Sequence, residues 1–322
     1  MFKELKNIKL NLRSRLAKAT LLVGALILSL VALNITNLAH ADDAEVEKPE
    51  VSITMSPAKS VINDLGPGAK HSGEFKIINT GKKAFDFTVS ISPYSVNSSK
   101  YDNNYNRETN YTQISRWVTF DKTSYHLESD ESVMVSYSIN IPTDIPAGGQ
   151  YAVIFAETSG DESPEDSAIS TMQRVGMLVY AHLEGDTRIE GILESQEIKK
   201  FFFNPPIYAT SLVKNTGNTD FDVTYNLKIN SLFGKEVYKG DRVHAVLPET
   251  SREVEQDWEE TPKLGIFKVT QDITLFEKVY TMKKTVFVCP IWLLITIIAI
   301  LVILVTIIVQ KIRNRSKKAS KK

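Results

Sequence analysis

The sequence predicts an all-β ectodomain of two tandem immunoglobulin-like antiparallel β-sandwiches, between a signal peptide and one C-terminal transmembrane helix. Three observations predict this fold: short runs of alternating apolar and polar residues, two motifs that each occur twice, and a long uncharged segment near each end. With 43% hydrophobic and 24% charged residues among 322, the composition is that of a folded chain. The predicted segments are a signal peptide (1–41), a first sandwich (42–185), a second sandwich (186–284), a transmembrane helix (286–309) and a basic tail (310–322).

The first uncharged segment has the features of a secretory signal peptide. Residues 1–19 include six basic residues, an apolar run follows from Thr20 to Leu33, and Ala39-His40-Ala41 supplies small residues for cleavage. This order predicts cleavage after Ala41. The alternative is an uncleaved N-terminal anchor, which the short apolar run disfavours.

The second uncharged segment, 286–309, has 24 residues and is dominated by Ile, Leu and Val. A helix of that length reaches ~36 Å, which is enough to cross a bilayer core and long for the alternative, a buried core helix. Residues 310–322 include seven basic residues and no acidic one, so the positive-inside rule places the tail in the cytoplasm. We therefore expect a single-pass protein of the cell membrane with an extracellular ectodomain.

Between these segments the apolar residues alternate with polar ones, as in half-buried strands. Residues 85–91, 133–141 and 175–183 show this period of two, and no comparable helical period occurs before the C-terminal segment. Short strands separated by Gly, Pro and Asn turns favour antiparallel sandwiches. Trp117 and Trp258 are expected in or beside the two cores, one in each.

Two motifs recur in the same order and predict the tandem arrangement. The first motif is Asn-Thr-Gly followed by Phe-Asp; it lies at 79–86 and again at 215–222, 136 positions later. The second motif is Pro-x-x-Gly-x-aromatic-x-Val; it lies at 146–153 and again at 262–269, 116 positions later. Asn-Thr-Gly suits a turn between two strands. Because the two offsets differ by 20 residues, the first sandwich is expected to contain an insertion, which we assign to 93–111.

The residue inventory argues against catalysis and against a cofactor or metal centre. The single cysteine excludes a disulfide framework and a CxxC site, and no pair of histidines has metal-ligand spacing. No nucleophile elbow, P-loop or dinucleotide motif occurs. The basic residues are concentrated at the two ends, so the middle is acidic and nucleic acid is not the expected partner. Four carboxylates within 161–166 suit Ca²⁺ or a solvated hairpin loop, and their spacing does not match an EF-hand.

The insertion is the one candidate recognition surface in the sequence. Tyrosine rings combine a flat apolar face with a hydroxyl, and asparagine offers both donors and acceptors, which suits sugars and protein epitopes. The alternative is that the tyrosines cover the sandwich. If the loop serves recognition, its aromatic residues should contribute to binding and little to folding. The candidate residues are Tyr94, Tyr101, Asn103, Asn104, Tyr105 and Tyr111.

The turn and core motifs also carry a family resemblance. In the first half they are Leu65-Gly66-Pro67-Gly68, Asn79-Thr80-Gly81, Trp117, Pro146-Ala147-Gly148-Gly149-Gln150-Tyr151 and Arg174-Val175-Gly176. In the second half they are Lys214-Asn215-Thr216-Gly217-Asn218, Phe233-Gly234-Lys235-Glu236-Val237, Val246-Leu247-Pro248 and Trp258. Together with the terminal segments, this order resembles the WxL-interacting proteins of Gram-positive bacteria. The resemblance implies a peptidoglycan-binding-like first domain, and a second domain associated with a host or partner protein such as a WxL-type surface protein.

The function predicted from these observations is non-enzymatic. The leading interpretation is a membrane-anchored bacterial surface protein that binds cell-wall glycan or a partner protein through its tandem sandwiches. The alternative is an assembly factor, or chaperone-like protein, that presents a sheet edge to secreted subunits by β-strand addition. A third class, an extracellular enzyme, lacks a supporting motif.

Overall fold

The computed structural model describes residues 48–159 and 172–319. The predicted signal peptide and the acidic cluster at 161–166 lie outside the described residues. The described chain is mostly β-strand and ends in one long apolar helix, as the alternation and the C-terminal segment predict.

Two sheets face each other in the part of the chain up to Leu183, which we call the first half. Sheet A has the strand order β1-β3-β9-β7 and sheet B has the order β2-β11-β10-β4-β8, while β5 and β6 form a small separate hairpin followed by a 3₁₀ turn over Gln113–Arg116. The strands are β1 (Ile53–Ser56), β2 (Lys59–Leu65), β3 (Lys70–Asn79), β4 (Phe85–Pro93), β5 (Ser95–Val96), β6 (Asn103–Asn104), β7 (Val118–Phe120), β8 (Ser124–Leu127), β9 (Ser132–Asn140), β10 (Gly148–Thr158) and β11 (Arg174–Leu183).

The second half, from Gly191 to Val288, also has two facing sheets. Sheet C has the order β12-β14-β17, and sheet D has the order β13-β19-β18-β15-β16. The strands are β12 (Gly191–Ile198), β13 (Phe201–Phe202), β14 (Ile207–Asn215), β15 (Phe221–Ser231), β16 (Glu236–Val246), β17 (Ser251–Trp258), β18 (Gly265–Leu275) and β19 (Lys278–Val288).

Alternation of side chains places the core in both halves. In β4, Phe85, Phe87 and Val89 are buried, while the residues between them are exposed. Trp258 is buried in the second half, and Trp117 is half-buried against the core of the first half, so the expectation for the two tryptophans is confirmed.

The repeated Asn-Thr-Gly motif performs the same task in each half. Asn79 ends β3 and Asn215 ends β14, and both side chains are 0% exposed. Each amide NH₂ donates to the carbonyl four residues later, and also to the last carbonyl of the next edge strand, Leu127 at 3.3 Å or Val246 at 2.8 Å. Each amide oxygen accepts from the glycine N–H two residues later. The motif therefore closes the turn and ties it to the neighbouring strand.

The C-terminal helix, α1, extends over Ile291–Ala319 and not from Val286 as the apolar run predicts. Val286 and Val288 are buried inward-facing residues at the end of β19, so the first part of the apolar run belongs to the sandwich. The second half consequently extends past 284, the boundary predicted for the second sandwich. Residues Ile291–Val309 form a 19-residue segment of mean hydropathy 3.3 that is long and apolar enough to cross a membrane.

Candidate functional site

The two halves meet at a junction that the insertion predicted at 93–111 helps to form. The hairpin of β5 and β6 packs on the turn between β16 and β17, residues 247–250. Its apolar centre consists of Tyr94, Val96, Tyr151, Tyr180 and Leu247, with Tyr101, Tyr105 and Tyr111 packed around them.

Tyr101 makes the closest contacts with the second half. Its hydroxyl accepts a hydrogen bond from the Leu247 N–H at 2.7 Å and lies 2.9 Å from Thr250 Oγ1. The Arg252 guanidinium lies 4.0 Å from the centre of the ring, which is cation–π geometry. Burial is the main cause that raises the pKa of the Tyr101 hydroxyl, so the ring enters the junction as a neutral donor and acceptor.

Two other groups of the insertion reach across the junction. The Tyr111 hydroxyl donates to Glu249 Oε1 at 2.9 Å, and burial together with this carboxylate raises the pKa of Tyr111 to about 12. The Glu253 N–H donates to the carbonyl oxygen of Ser99 at 2.7 Å. The insertion is thus bound to the second half by side-chain and backbone groups.

The remaining predicted residues shape the hairpin itself. Tyr105 packs edge-to-face on Phe155 at 5.0 Å, and its hydroxyl accepts from the Asn103 amide at 2.9 Å. The Asn104 side-chain oxygen accepts from two following backbone N–H groups. Tyr94 is buried beneath them.

These contacts bear on one expectation. Because Tyr101 contacts the second half, we expect it to contribute to folding, in contrast to the prediction from the sequence that the loop tyrosines contribute little. Its ring and hydroxyl lie against Leu247, Thr250 and Arg252, which follow it by about 150 positions in the sequence. Whether the loop also binds a partner stays a prediction.

A second set of contacts in the junction was not anticipated from the sequence. The Tyr151 hydroxyl donates to Asp220 Oδ1 at 2.8 Å and accepts from the Asp220 N–H, while His182 Nε2 lies 2.7 Å from the same Oδ1. Burial raises the pKa of the Asp220 carboxyl, but the contacts with His182 and Tyr151 outweigh it, and the pKa is lowered. The available signal was Tyr151 itself, the aromatic position of the repeated Pro-x-x-Gly motif.

Close backbone approach at this point requires glycine. Gly148 has φ +111°, and a Cβ there would lie 2.3 Å from the Asn218 carbonyl oxygen. That same oxygen accepts from the Gly149 N–H at 2.9 Å. The glycine pair of the first half is therefore part of the junction as well as of a strand.

The junction leaves a cavity of about 330 Å³ between the insertion and the 247–251 turn. Its walls include hydroxyl, amide and aromatic groups, with Arg107 as a cation and Glu249 as an anion. Such a lining suits a polar ligand. Among the described residues, no group of three His, Cys, Asp or Glu side chains is placed to hold a metal ion.

A different candidate surface is an open sheet edge in the second half. In the first half, β2 runs parallel to β11 and pairs with it from Leu178 to Leu183. In the second half, the corresponding strand β13 pairs with β19 only at Phe287 and Val288. Along Lys278–Val286 the outer side of β19 therefore has no backbone partner within the described part of the chain.

No protein-family model matches the chain, and no curated protein matches it. Similar solved structures include the class 5 fimbriae chaperone CfaA, with TM-score 0.37 and 10% identity over 73% of this chain and 99% of that chain. The YadV chaperone matches with TM-score 0.38 and 10% identity over 73% and 99%. The E. coli chaperone DraB matches with TM-score 0.31 and 10% identity over 73% and 97%. Similarity at this level carries no inference about partner or activity.

Proposed function

We propose that the chain is a non-enzymatic, membrane-anchored surface protein of two immunoglobulin-like sandwiches, which holds an extended segment of a secreted partner by strand addition. The observation that carries the proposal is the open edge of β19 along Lys278–Val286. Nine residues of strand measure ~30 Å, which is enough to pair with a partner strand of ordinary length.

The side chains at this edge favour addition of a strand. Tyr280 and Met282 face inward but are only partly buried, and each packs against a core cluster of the second half. An added strand would supply ladder partners for the free N–H and C=O groups and would cover these two side chains. Apolar area removed from water stabilises such a complex by ~25 cal/mol per Å².

The position of α1 next to β19 indicates where in the cell this edge would lie. Since α1 begins at Ile291, directly after β19, a partner held on β19 is held close to the membrane. With a cleaved signal peptide and a cytoplasmic basic tail, the edge faces the outside of the cell. In this reading the chain assembles or retains secreted surface subunits, and a WxL-type protein is one such partner in line with the sequence resemblance.

Site-specific cross-linking on the full chain in its membrane tests the proposal. Cys289 is the single cysteine, so Cys289→Ser provides a background for one new labelled position. A photo-cross-linker on Val279→Cys, which is 55% exposed on β19, should capture a secreted protein. The matched control is Val243→Cys, 58% exposed on β16 at the opposite edge of the same sheet, which should not capture it.

Register separates strand addition from other binding. Moving the label from Val279 to Thr281 should move the captured partner residue by two positions, because side chains on one face repeat every two residues. Equal capture at Val279 and Val243 would contradict the assignment of the site to the β19 edge, and capture without the two-residue step would contradict strand addition.

A second candidate function, binding of cell-wall glycan, is favoured by the polar cavity at the junction. Arg107 lines this cavity, and its side chain makes no hydrogen bond or ion pair with the described residues of the second half, so Arg107→Ala should weaken binding of the full chain to isolated peptidoglycan several-fold. Lys100→Ala, on the same loop but outside the cavity lining, is the control. Unchanged binding of the Arg107 variant would remove this candidate.

A further inference from the structure

The end of the second half nearest to α1 carries an apolar row on its outer face. Ile266, Phe287 and Phe201 are consecutive cross-strand partners on β18, β19 and β13, and all three are exposed. The Phe201 and Phe287 rings stack with centres 5.3 Å apart, although Phe201 is 61% exposed. Leu264 and Phe203, just outside the strands at this end, are exposed as well. We call Ile266, Phe287 and Phe201 the juxtamembrane row.

The row lies within a short distance of the membrane-spanning segment. Phe287 and Ile291 are four positions apart, which limits their Cα atoms to at most ~14 Å. The Cys289 N–H donates to the Phe202 carbonyl at 2.9 Å, so the connecting residues are held against β13. Residues Ile291–Val309 measure ~28 Å as a helix, about the thickness of the hydrocarbon core, so the core boundary falls near Ile291.

Basic residues follow the row on the same face, farther from the helix. The next cross-strand pair is Lys268 with Thr285, and the one after is Thr270 with Lys283. Both lysines are exposed, and the first acid along this face of β18 is Asp272. Apolar groups nearest the hydrocarbon and ammonium groups one step outward match the layers of an anionic lipid surface.

We propose that the juxtamembrane row inserts into the headgroup region of the outer leaflet, with Lys268 and Lys283 on lipid phosphates. The occupant is lipid because the row adjoins the point where the span begins and because the next two cross-strand pairs of β18 and β19 on this face each include an exposed lysine. The inference rests on the membrane anchoring in the proposed function, but not on strand addition. This contact fixes the tilt of the second half relative to the membrane, so that the second half does not rotate freely about Pro290.

Depth-dependent quenching in lipid vesicles tests the contact. The full chain with Cys289→Ser carries one new labelled cysteine and is reconstituted in phosphatidylcholine vesicles containing phosphatidylglycerol and a headgroup-proximal doxyl lipid. A fluorophore at Phe201→Cys should be quenched about twofold more than one at Val279→Cys, at the far end of β19. A fluorophore at Ile300→Cys, in the middle of the span, reports anchoring separately through its quenching by a second doxyl lipid whose label lies near the bilayer centre.

The outcomes distinguish the lipid contact of the juxtamembrane row from the membrane anchoring. If Ile300 is quenched but Phe201 is quenched no more than Val279, the lipid contact of the juxtamembrane row is overturned and the membrane anchor stands. If Ile300 is not quenched, both the lipid contact and the anchor are overturned. Cross-linked dimers through Phe201→Cys in place of lipid quenching would assign the row to a second copy and overturn the proposal. Lys268→Gln with Lys283→Gln should remove the dependence of the Phe201 signal on phosphatidylglycerol, whereas Lys278→Gln, at the far end of β19, should keep it.

Discussion

The first and second halves share a strand plan but differ in how it is completed. Both begin with a strand in one sheet that continues into the other, and both place a buried asparagine at the same turn. In the first half the change of sheet comes early, after the four residues of β1, and β2 then covers the edge of β11. In the second half it comes late, after the eight residues of β12, and β13 covers only two residues of β19.

The point at which the strand changes sheets therefore decides how much of the outer side of β11 or β19 is covered. A residue of the segment that forms β12 and β13 can pair with β14 in sheet C or with β19 in sheet D, but not with both. A closed edge is protected against pairing with other chains, whereas an open one is a site for it. In the second half most of the outer side of β19 stays unpaired within the described part of the chain, and this is the edge used in the proposed strand addition.

The cores differ as well. One continuous apolar cluster fills the first half, while the second half has two clusters. Inward-facing Ser211, Gln256 and Gln271 lie between them, each at the position where its strand passes from one cluster to the other. Both Gln271 side-chain polar atoms lack a hydrogen-bond partner among the described residues. The core of the second half is thus less continuous than that of the first half, and it contains buried polar atoms without a partner among the described residues.

The largest expected effect comes from the tryptophans. Trp258 packs edge-to-face on Phe267 at 5.4 Å in the smaller core, and Trp258→Ala should lower the free energy of unfolding by about 3–5 kcal/mol. Trp117 is half-buried beside the continuous core, so Trp117→Ala should cost clearly less. Denaturant unfolding of the full chain in detergent, followed by far-ultraviolet circular dichroism, measures both. Equal losses would mean that the half-buried Trp117 contributes as much to stability as the buried Trp258.

Next in size is the contact that joins the halves. Tyr101→Ala removes two hydrogen-bonding contacts and the Arg252 cation–π contact, for an expected loss of about 2–3 kcal/mol. Tyr105→Ala is the matched control, since the aromatic and hydrogen-bond contacts of Tyr105 lie within the first half. Hydrogen exchange of the Leu247 and Glu253 amides should speed up only in the Tyr101 variant. Faster exchange in both variants would show that the whole hairpin, and not Tyr101, carries the contact.

Acid should loosen the same junction. The pKa of Asp220 is lowered in the folded chain from its ordinary value of 3.8, so its contribution to stability is present above that value. The contribution is lost as the pH falls through the folded pKa. Asp220→Asn should lower stability at neutral pH by about 1–3 kcal/mol, and this gap from wild type should shrink below about pH 4. A gap that is constant from pH 7 to pH 2 would exclude the carboxylate as its source.

The smallest expected effect has the opposite sign. Gln271→Leu should raise the stability of the second half by about 1 kcal/mol, because it joins the two clusters and removes unpaired polar atoms. Gln256→Leu is the control, since its amide donates to the Tyr225 carbonyl at 3.0 Å and this hydrogen bond would be lost. Thermal unfolding of both variants gives the comparison. Destabilisation by Gln271→Leu would show that this side chain is satisfied in solution.

The sequence by itself determined the strands and the repeat. Alternation in 85–91, 133–141 and 175–183 matches β4, β9 and β11, because side chains of a strand alternate between faces whatever its neighbours are. The Asn-Thr-Gly motif could be read as a turn because two hydrogen bonds of each asparagine side chain are made within four residues of it. The apolar C-terminal run predicted a helix, but its start was misplaced, since an apolar run does not distinguish a buried strand end from a span.

Only the tertiary structure decided the junction and the open edge. Tyr101 meets Leu247, and Tyr151 meets Asp220, through contacts between residues far apart in the chain, and no local period encodes such a meeting. The same holds for β13 and β19, whose pairing depends on where the chain changes sheets. Local sequence sets which face of a strand is apolar. Long-range packing sets which strand lies beside it, and that choice places the candidate sites of this protein.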